Sequence, residues 1–201
     1  MWRLLLLVAL VGMPVRADEA GWSAFARPGT FAIMRHAEAP GTGDPPGFVL
    51  GKCATQRNLS EEGRAQAQRI GAAIRQHGIA VERVLSSQWC RAADTARMLG
   101  LGPVTPLPAL NSFFAAPGIE ARATATTKGA LVGQGKALLV SHQVNITALT
   151  GVFPASGEIV VFSLRPGGEV RVEGDRPLTG LTCRASCDAR RGRGLWTPRP
   201  R

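Results

Sequence analysis

The chain alternates short apolar runs with amphipathic stretches. Residues 30–34 (Thr-Phe-Ala-Ile-Met) form a compact apolar run after Gly29, the length and setting of a buried strand. Residues 81–85, 104–107, 137–140 and 159–164 read as further strands. Residues 169–172 pair with the last of these in a hairpin around Pro166-Gly167-Gly168. Between them lie helical patterns. Ser60 is a natural cap, with Glu61 and Glu62 in the first turn. Gly63, Ala67, Ile70, Ile74 and His77 then fall on one face, and Gly78 ends the helix. Residues 88–99, 119–133 and 145–150 give three more helices. The expected order is β-α-β-α-β-α-β-α-β-β. It defines an α/β class: a doubly wound, mostly parallel sheet with helices on both faces and a C-terminal hairpin strand.

The ends depart from this rhythm. Met1-Trp2-Arg3 is a short basic start, and residues 4–13 are apolar but too short to span a bilayer comfortably. Val15-Arg16-Ala17 offers the small and apolar positions of a cleavage site. Residues 1–17 therefore read as a secretory signal peptide, 18–175 as one domain and 176–201 as a tail. The expected location is periplasmic or secreted.

Composition sharpens the division. The 201 residues are 45% hydrophobic and 19% charged, which excludes disordered, collagen-like and polytopic membrane classes. The formal charge is +10, and the tail alone holds seven Arg against one acid, Asp188. With its Gly and Pro it reads as a solvated arm whose charge suits an anionic surface. No nucleic-acid reader motif accompanies it, so nucleic acid is not an expected partner.

Four cysteines, 53, 90, 183 and 187, suit an oxidising compartment. Of three possible pairings, Cys53 with Cys90 and Cys183 with Cys187 is preferred. The competing reading of Cys90 is a buried helical thiol. No metal site is expected, because the histidines at 36, 77 and 142 are dispersed and no C-x-x-C occurs.

The candidate chemistry sits at strand ends, where open α/β sheets bind ligands. Arg35-His36 follows the first strand, Arg91 follows the second, and His142 follows the strand at 137–140. Two imidazoles and two guanidiniums in one crevice suit a phosphoryl dianion. A neutral imidazole can attack phosphorus, and neighbouring cations keep it neutral.

Four ordered blocks carry a family resemblance: Met34-Arg35-His36-Ala37-Glu38, Asn58 to Ala67, Ser86 to Ala96 with its Arg91-Ala92-Ala93-Asp94-Thr95-Ala96, and Val140-Ser141-His142. They resemble the histidine phosphatase superfamily, the phosphoglycerate-mutase-like proteins. The resemblance implies a phosphomonoester hydrolase with His36 as the phosphorylated nucleophile. It implies that Arg35 and Arg91 hold the phosphate and that His142 hydrogen-bonds the transferring group. Arg57 is a third candidate for the phosphate site. Two departures stand out. Ala37 replaces the usual Gly. Gln143 stands where the acid phosphatase branch carries the Asp that protonates the leaving group. Glu158 is the first substitute candidate for that acid, before Glu120 and Glu38. The implied substrate is a phosphorylated small molecule or a lipopolysaccharide-type phosphosugar, with no cofactor. A phosphate-binding pseudoenzyme on the same fold, or a phosphomutase, is the alternative.

Overall fold

The computed structural model describes residues 17–174 and 177–179. Residues 1–16 of the expected leader, and most of the expected tail with Cys183 and Cys187, lie outside these. The described chain is built on strands β1 (Thr30–Arg35), β2 (Arg83–Ser86), β3 (Val104–Pro106), β4 (Ala137–Ser141), β5 (Ile159–Leu164) and β6 (Val170–Val172). They form one six-stranded sheet in the order β3-β2-β4-β1-β5-β6. The first four strands are mutually parallel where they pair, and β5 and β6 run antiparallel.

The apolar runs are explained by burial on both faces. Successive strand side chains point to opposite sides of a sheet. Ala32, Met34, Val84, Leu138 and Val140 join one cluster with Ile70, Ile74, Ala92 and Leu99. Phe31, Ile33, Leu85, Leu139, Val160 and Phe162 join a second with Leu110, Ile146 and Leu149. Helices α2 (Glu61–Gln76) and α3 (Cys90–Met98) cover the first face, and α4 (Glu120–Gly129) and α5 (Gln143–Thr150) lie on the other. A helix α1 (Ala17–Ala26) precedes β1 and is absent from the expected order. It buries Trp22 and Phe25 against the first cluster, and Trp22 stacks on His77 with ring centroids 4.4 Å apart. Two large apolar residues three apart, directly after the leader, give too short a period to read as a helix.

Helix α2 begins as its sequence predicts. The Ser60 hydroxyl accepts from the Gly63 amide at 2.9 Å. Its glycines permit close packing at both ends of the helix. A Cβ on Gly63 would overlap the Glu38 carbonyl, and one on Gly71 would overlap the Leu99 carbonyl.

This contact yields a stability prediction. Alanine is the better helix former by about 1 kcal/mol, yet overpacking against rigid backbone costs about 1–3 kcal/mol. Gly71→Ala should therefore lower the urea midpoint. A variant more stable than the parent would show that α2 and the end of α3 do not meet in this way.

Candidate active site

Three strand ends deliver the imidazoles and guanidiniums to one place. The His36 amide donates to the Ser141 carbonyl at 3.0 Å, and the Ser87 amide donates to Val140 at 2.9 Å. These bonds bind the residues leaving β1 and β2 to β4, so His36, Ser87 and His142 share the carboxyl edge. His36, His142 and Arg91 are only 2%, 4% and 3% exposed. The two imidazole centroids lie 5.5 Å apart, edge to face.

The His36 ring has a defined tautomer. Nδ1 lies 2.7 Å from the Ala37 carbonyl, which can only accept, so Nδ1 carries the proton. Nε2 is then the lone-pair nitrogen, and it accepts from Arg91 Nε at 3.2 Å. Burial lowers the His36 pKa to about 3, against 6.5 for a free imidazole. The Ala37 carbonyl opposes that shift, while the charges of Arg91, Arg57 and Arg35 add to it. His142 is likewise pushed well below its ordinary value, first by burial and then by His36 and the same three arginines. Its Nε2 lies 2.8 Å from Ser87 Oγ, and that hydroxyl also meets Asn111 Oδ1 at 3.2 Å. Ser87 and Asn111 were not among the expected site residues. They position His142 through hydrogen bonds between side chains far apart in sequence.

The cations are unequally satisfied. Arg91 places Nη1 2.7 Å and Nη2 3.2 Å from the two Asp44 oxygens. Arg57, the third expected arginine, donates Nε to the Gly43 carbonyl at 2.7 Å and Nη1 to the Ala39 carbonyl. Arg35 donates Nη1 to the Pro154 carbonyl at 3.2 Å, while its Nε is buried without a hydrogen-bond partner. Burial destabilises the cations of Arg35 and Arg57, and the nearby charge of Arg91 does so further. An anion placed here relieves both effects.

Asp44 is the residue that sequence reading missed. It lies in the Pro/Gly loop after β1, where no periodicity marks it. Besides Arg91, its carboxylate accepts from Trp89 Nε1 at 3.0 Å and from the Arg57 amide at 3.1 Å. Burial opposes its ionisation, but these hydrogen bonds and the Arg91 charge prevail, so its pKa lies below the usual carboxylate value. Cys53 and Cys90 form a disulfide with Cα atoms 5.6 Å apart, which fastens the same loop to the start of α3 beside Arg91. Gln56 Oε1 accepts from the Cys90 amide at 2.9 Å and reinforces that attachment.

The candidate acids lie apart from the imidazoles in their bonding. Glu158 accepts from the Ala155 amide of its own loop at 2.8 Å, and its charge acts on Arg35. It lines a cleft of about 160 Å³ with Gln66, Arg69 and Ser156. This placement makes Glu158 an electrostatic partner of Arg35. The Glu38 carboxylate accepts from the Ser60 hydroxyl. Glu120 is exposed at the start of α4. Gln143 donates to Thr147 Oγ1 within α5 at 2.9 Å.

A sheet with buried histidines and arginines at its carboxyl edge is the arrangement of histidine phosphatases, and the comparisons agree. Residues 31–114 match the family described as histidine phosphatase superfamily (branch 1). No curated protein matches the sequence. Among solved structures, the fold is similar to that of the protein histidine phosphatase SixA complexed with tungstate. That match has 19% identity and a TM-score of 0.53, covering 75% of this chain and 97% of that one. It is also similar to a mycobacterial glucosyl-3-phosphoglycerate phosphatase complexed with VO3, at 17% identity and TM-score 0.56 over 72% of this chain and 97% of that one. A phosphoserine phosphatase mutant from Entamoeba histolytica, in complex with phosphoserine, matches at 14% identity and TM-score 0.53. There the coverage is 76% of this chain and 98% of that one.

The electrostatics set a pH expectation. With a native pKa near 3 and an unfolded value near 6.5, His36 stays neutral in the native protein while the unfolded chain takes up protons. Its contribution to stability is complete above about pH 6.5 and falls as pH drops toward about 3. Histidine-selective NMR should show no His36 titration between about pH 7.5 and 4.5. A midpoint near 6.5 would refute the buried neutral ring.

Proposed function

We propose that this protein is a phosphomonoester hydrolase working through a phosphohistidine at His36. The observation that carries the reading is the neutral His36 ring, its Nε2 lone pair facing Arg91 Nε among three guanidiniums. In the proposed first step Nε2 attacks phosphorus, the P–Nε2 bond forms, and the bond to the leaving oxygen breaks. Arg35, Arg57 and Arg91 stabilise charge on the equatorial oxygens. A phosphate oxygen also supplies the acceptor that the buried Arg35 Nε lacks. His142 hydrogen-bonds the group in transfer. Water then attacks phosphorus, releases orthophosphate and restores the free imidazole.

The proton for the leaving group has no obvious donor in the bonding around His36. Asp44 is held ionised by Arg91, and Glu158 faces its own loop. The reading therefore includes a preference for leaving groups that depart without protonation. A second reading, a phosphate-binding protein without turnover, is favoured by Gln143 at the position of the acid phosphatase Asp. The leader-like start and the Cys53–Cys90 disulfide support a location outside the reducing cytoplasm. The Arg-rich tail would then face the envelope as a basic arm.

The test uses p-nitrophenyl phosphate in the presence of EDTA. Phosphate release is expected, reduced by about three orders of magnitude in His36→Ala. Ethyl phosphate should turn over more slowly by at least about 100-fold, the usual worth of a general acid. Binding of orthophosphate with no turnover of either ester would move the conclusion to the second reading.

A further inference from the structure

The surroundings of the site are apolar on one side, and this extends the hydrolase reading, on which it rests, to the substrate's other end. The Trp89 ring meets His142 edge-on at 5.5 Å, and Phe48 stacks on Trp89 at 5.0 Å. Val49 and Leu50 follow Phe48 on the loop that carries Asp44, and they are 42% and 40% exposed. Leu50 lines a groove of about 360 Å³ with Ala93, Val104 and Pro106. Ser87, which hydrogen-bonds His142, forms part of the same groove. A series of apolar groups thus leads from the buried imidazole to open surface. Two further exposed phenylalanines stand on loops tied to the site. Phe153 precedes Pro154, whose carbonyl receives Arg35, and Phe114 lies three residues beyond Asn111. Exposing this much aromatic and aliphatic surface beside a cationic pocket is unfavourable unless something apolar covers it.

We propose that the substrates are phosphate monoesters bearing an extended apolar group, which lies in the groove beside Leu50 while the phosphate meets the arginines. The charge pattern selects this occupant. The cationic pocket takes a small dianion, and the groove adjoining it offers mainly aliphatic wall, with Arg97 at its rim already paired to Asp94 at 2.6 Å.

The experiment reads binding without requiring turnover. Calorimetry on the full chain would give dissociation constants for methyl-, butyl- and octylphosphonate, each below its micellar concentration. Affinity should tighten at least about tenfold from methyl to octyl, as burial of several methylenes requires. Leu50→Ser should flatten that dependence and leave methylphosphonate binding and p-nitrophenyl phosphate turnover unchanged. Equal affinity for all three phosphonates overturns the proposal while leaving the hydrolase reading intact. A chain-length dependence untouched by Leu50→Ser overturns the assignment to this groove. A concentration-dependent dimer that Leu50→Ser abolishes would give the groove to a second copy and also overturn it. Failure of every phosphonate to bind, together with no ester turnover, removes the hydrolase reading itself.

Discussion

The site is organised around one buried guanidinium. Arg91 is 3% exposed, and a cation in that position is tolerable only when its N–H groups are met and its charge is balanced. Asp44 supplies both balance and geometry on the Nη edge, and His36 Nε2 accepts on the Nε side. The demand of Arg91 for a carboxylate folds the long loop after β1 inward. Once there, the loop is tied by Asp44 to Trp89, by Gln56 to the Cys90 amide, and by the disulfide to the start of α3. In the chain-entropy account, closing a loop of 37 residues is worth about 3–4 kcal/mol, so the covalent tie is comparable to a sizeable part of a domain's net stability.

That arrangement explains why the histidines are neutral. Burial alone disfavours an imidazolium, and three nearby arginines disfavour it further. The lone pair needed for attack is thus present well below neutral pH. The positive charge that attracts a phosphoryl group stays on guanidiniums, which do not lose it. Asp44 offsets one of the three positive charges. Arg35, Arg57, Arg91 and Asp44 together leave a twofold positive charge against neutral rings, which matches a phosphate dianion. The geometry at Arg91 fits the same division. Its Nη pair holds Asp44 end-on while its Nε side faces His36, so a phosphate at His36 need not evict the carboxylate.

The sequence made the scaffold legible because strands buried on both faces leave unbroken apolar runs, as at β1 and β4. The residues at their ends could then be named. His36, Arg35, Arg91 and His142 follow from position, and the Cys53–Cys90 pairing was the preferred one. What escaped was tertiary in origin. Asp44 is separated from Arg91 by 47 residues, inside a loop whose Pro and Gly content signals only irregularity. Ser87 and Asn111 act through side-chain hydrogen bonds that no local pattern encodes. Helix α1 escaped for a different reason, since Trp22 and Phe25 are stabilised by His77 and the sheet rather than by their own period. Glu158 illustrates the opposite error of inference. Closeness to a strand start suggested a proton donor, whereas its carboxylate is engaged by the Ala155 amide.

The loop after β1 also joins two parts of recognition that sequence treats as separate. Asp44 fixes the orientation of the arginine facing the phosphate site, and Phe48 and Leu50, four and six residues later, border the apolar groove. Between these two points the Trp89 indole bonds Asp44 with its N–H and stacks Phe48 on its face. One ring therefore carries both the polar and the apolar attachment. A displacement of the loop would loosen Arg91 and open the groove together, because Trp89 cannot follow one partner without straining the other. Anchoring by the disulfide at Cys53, three residues past Leu50, limits that displacement. Phosphate affinity and leaving-group selectivity are consequently coupled through the placement of a single loop.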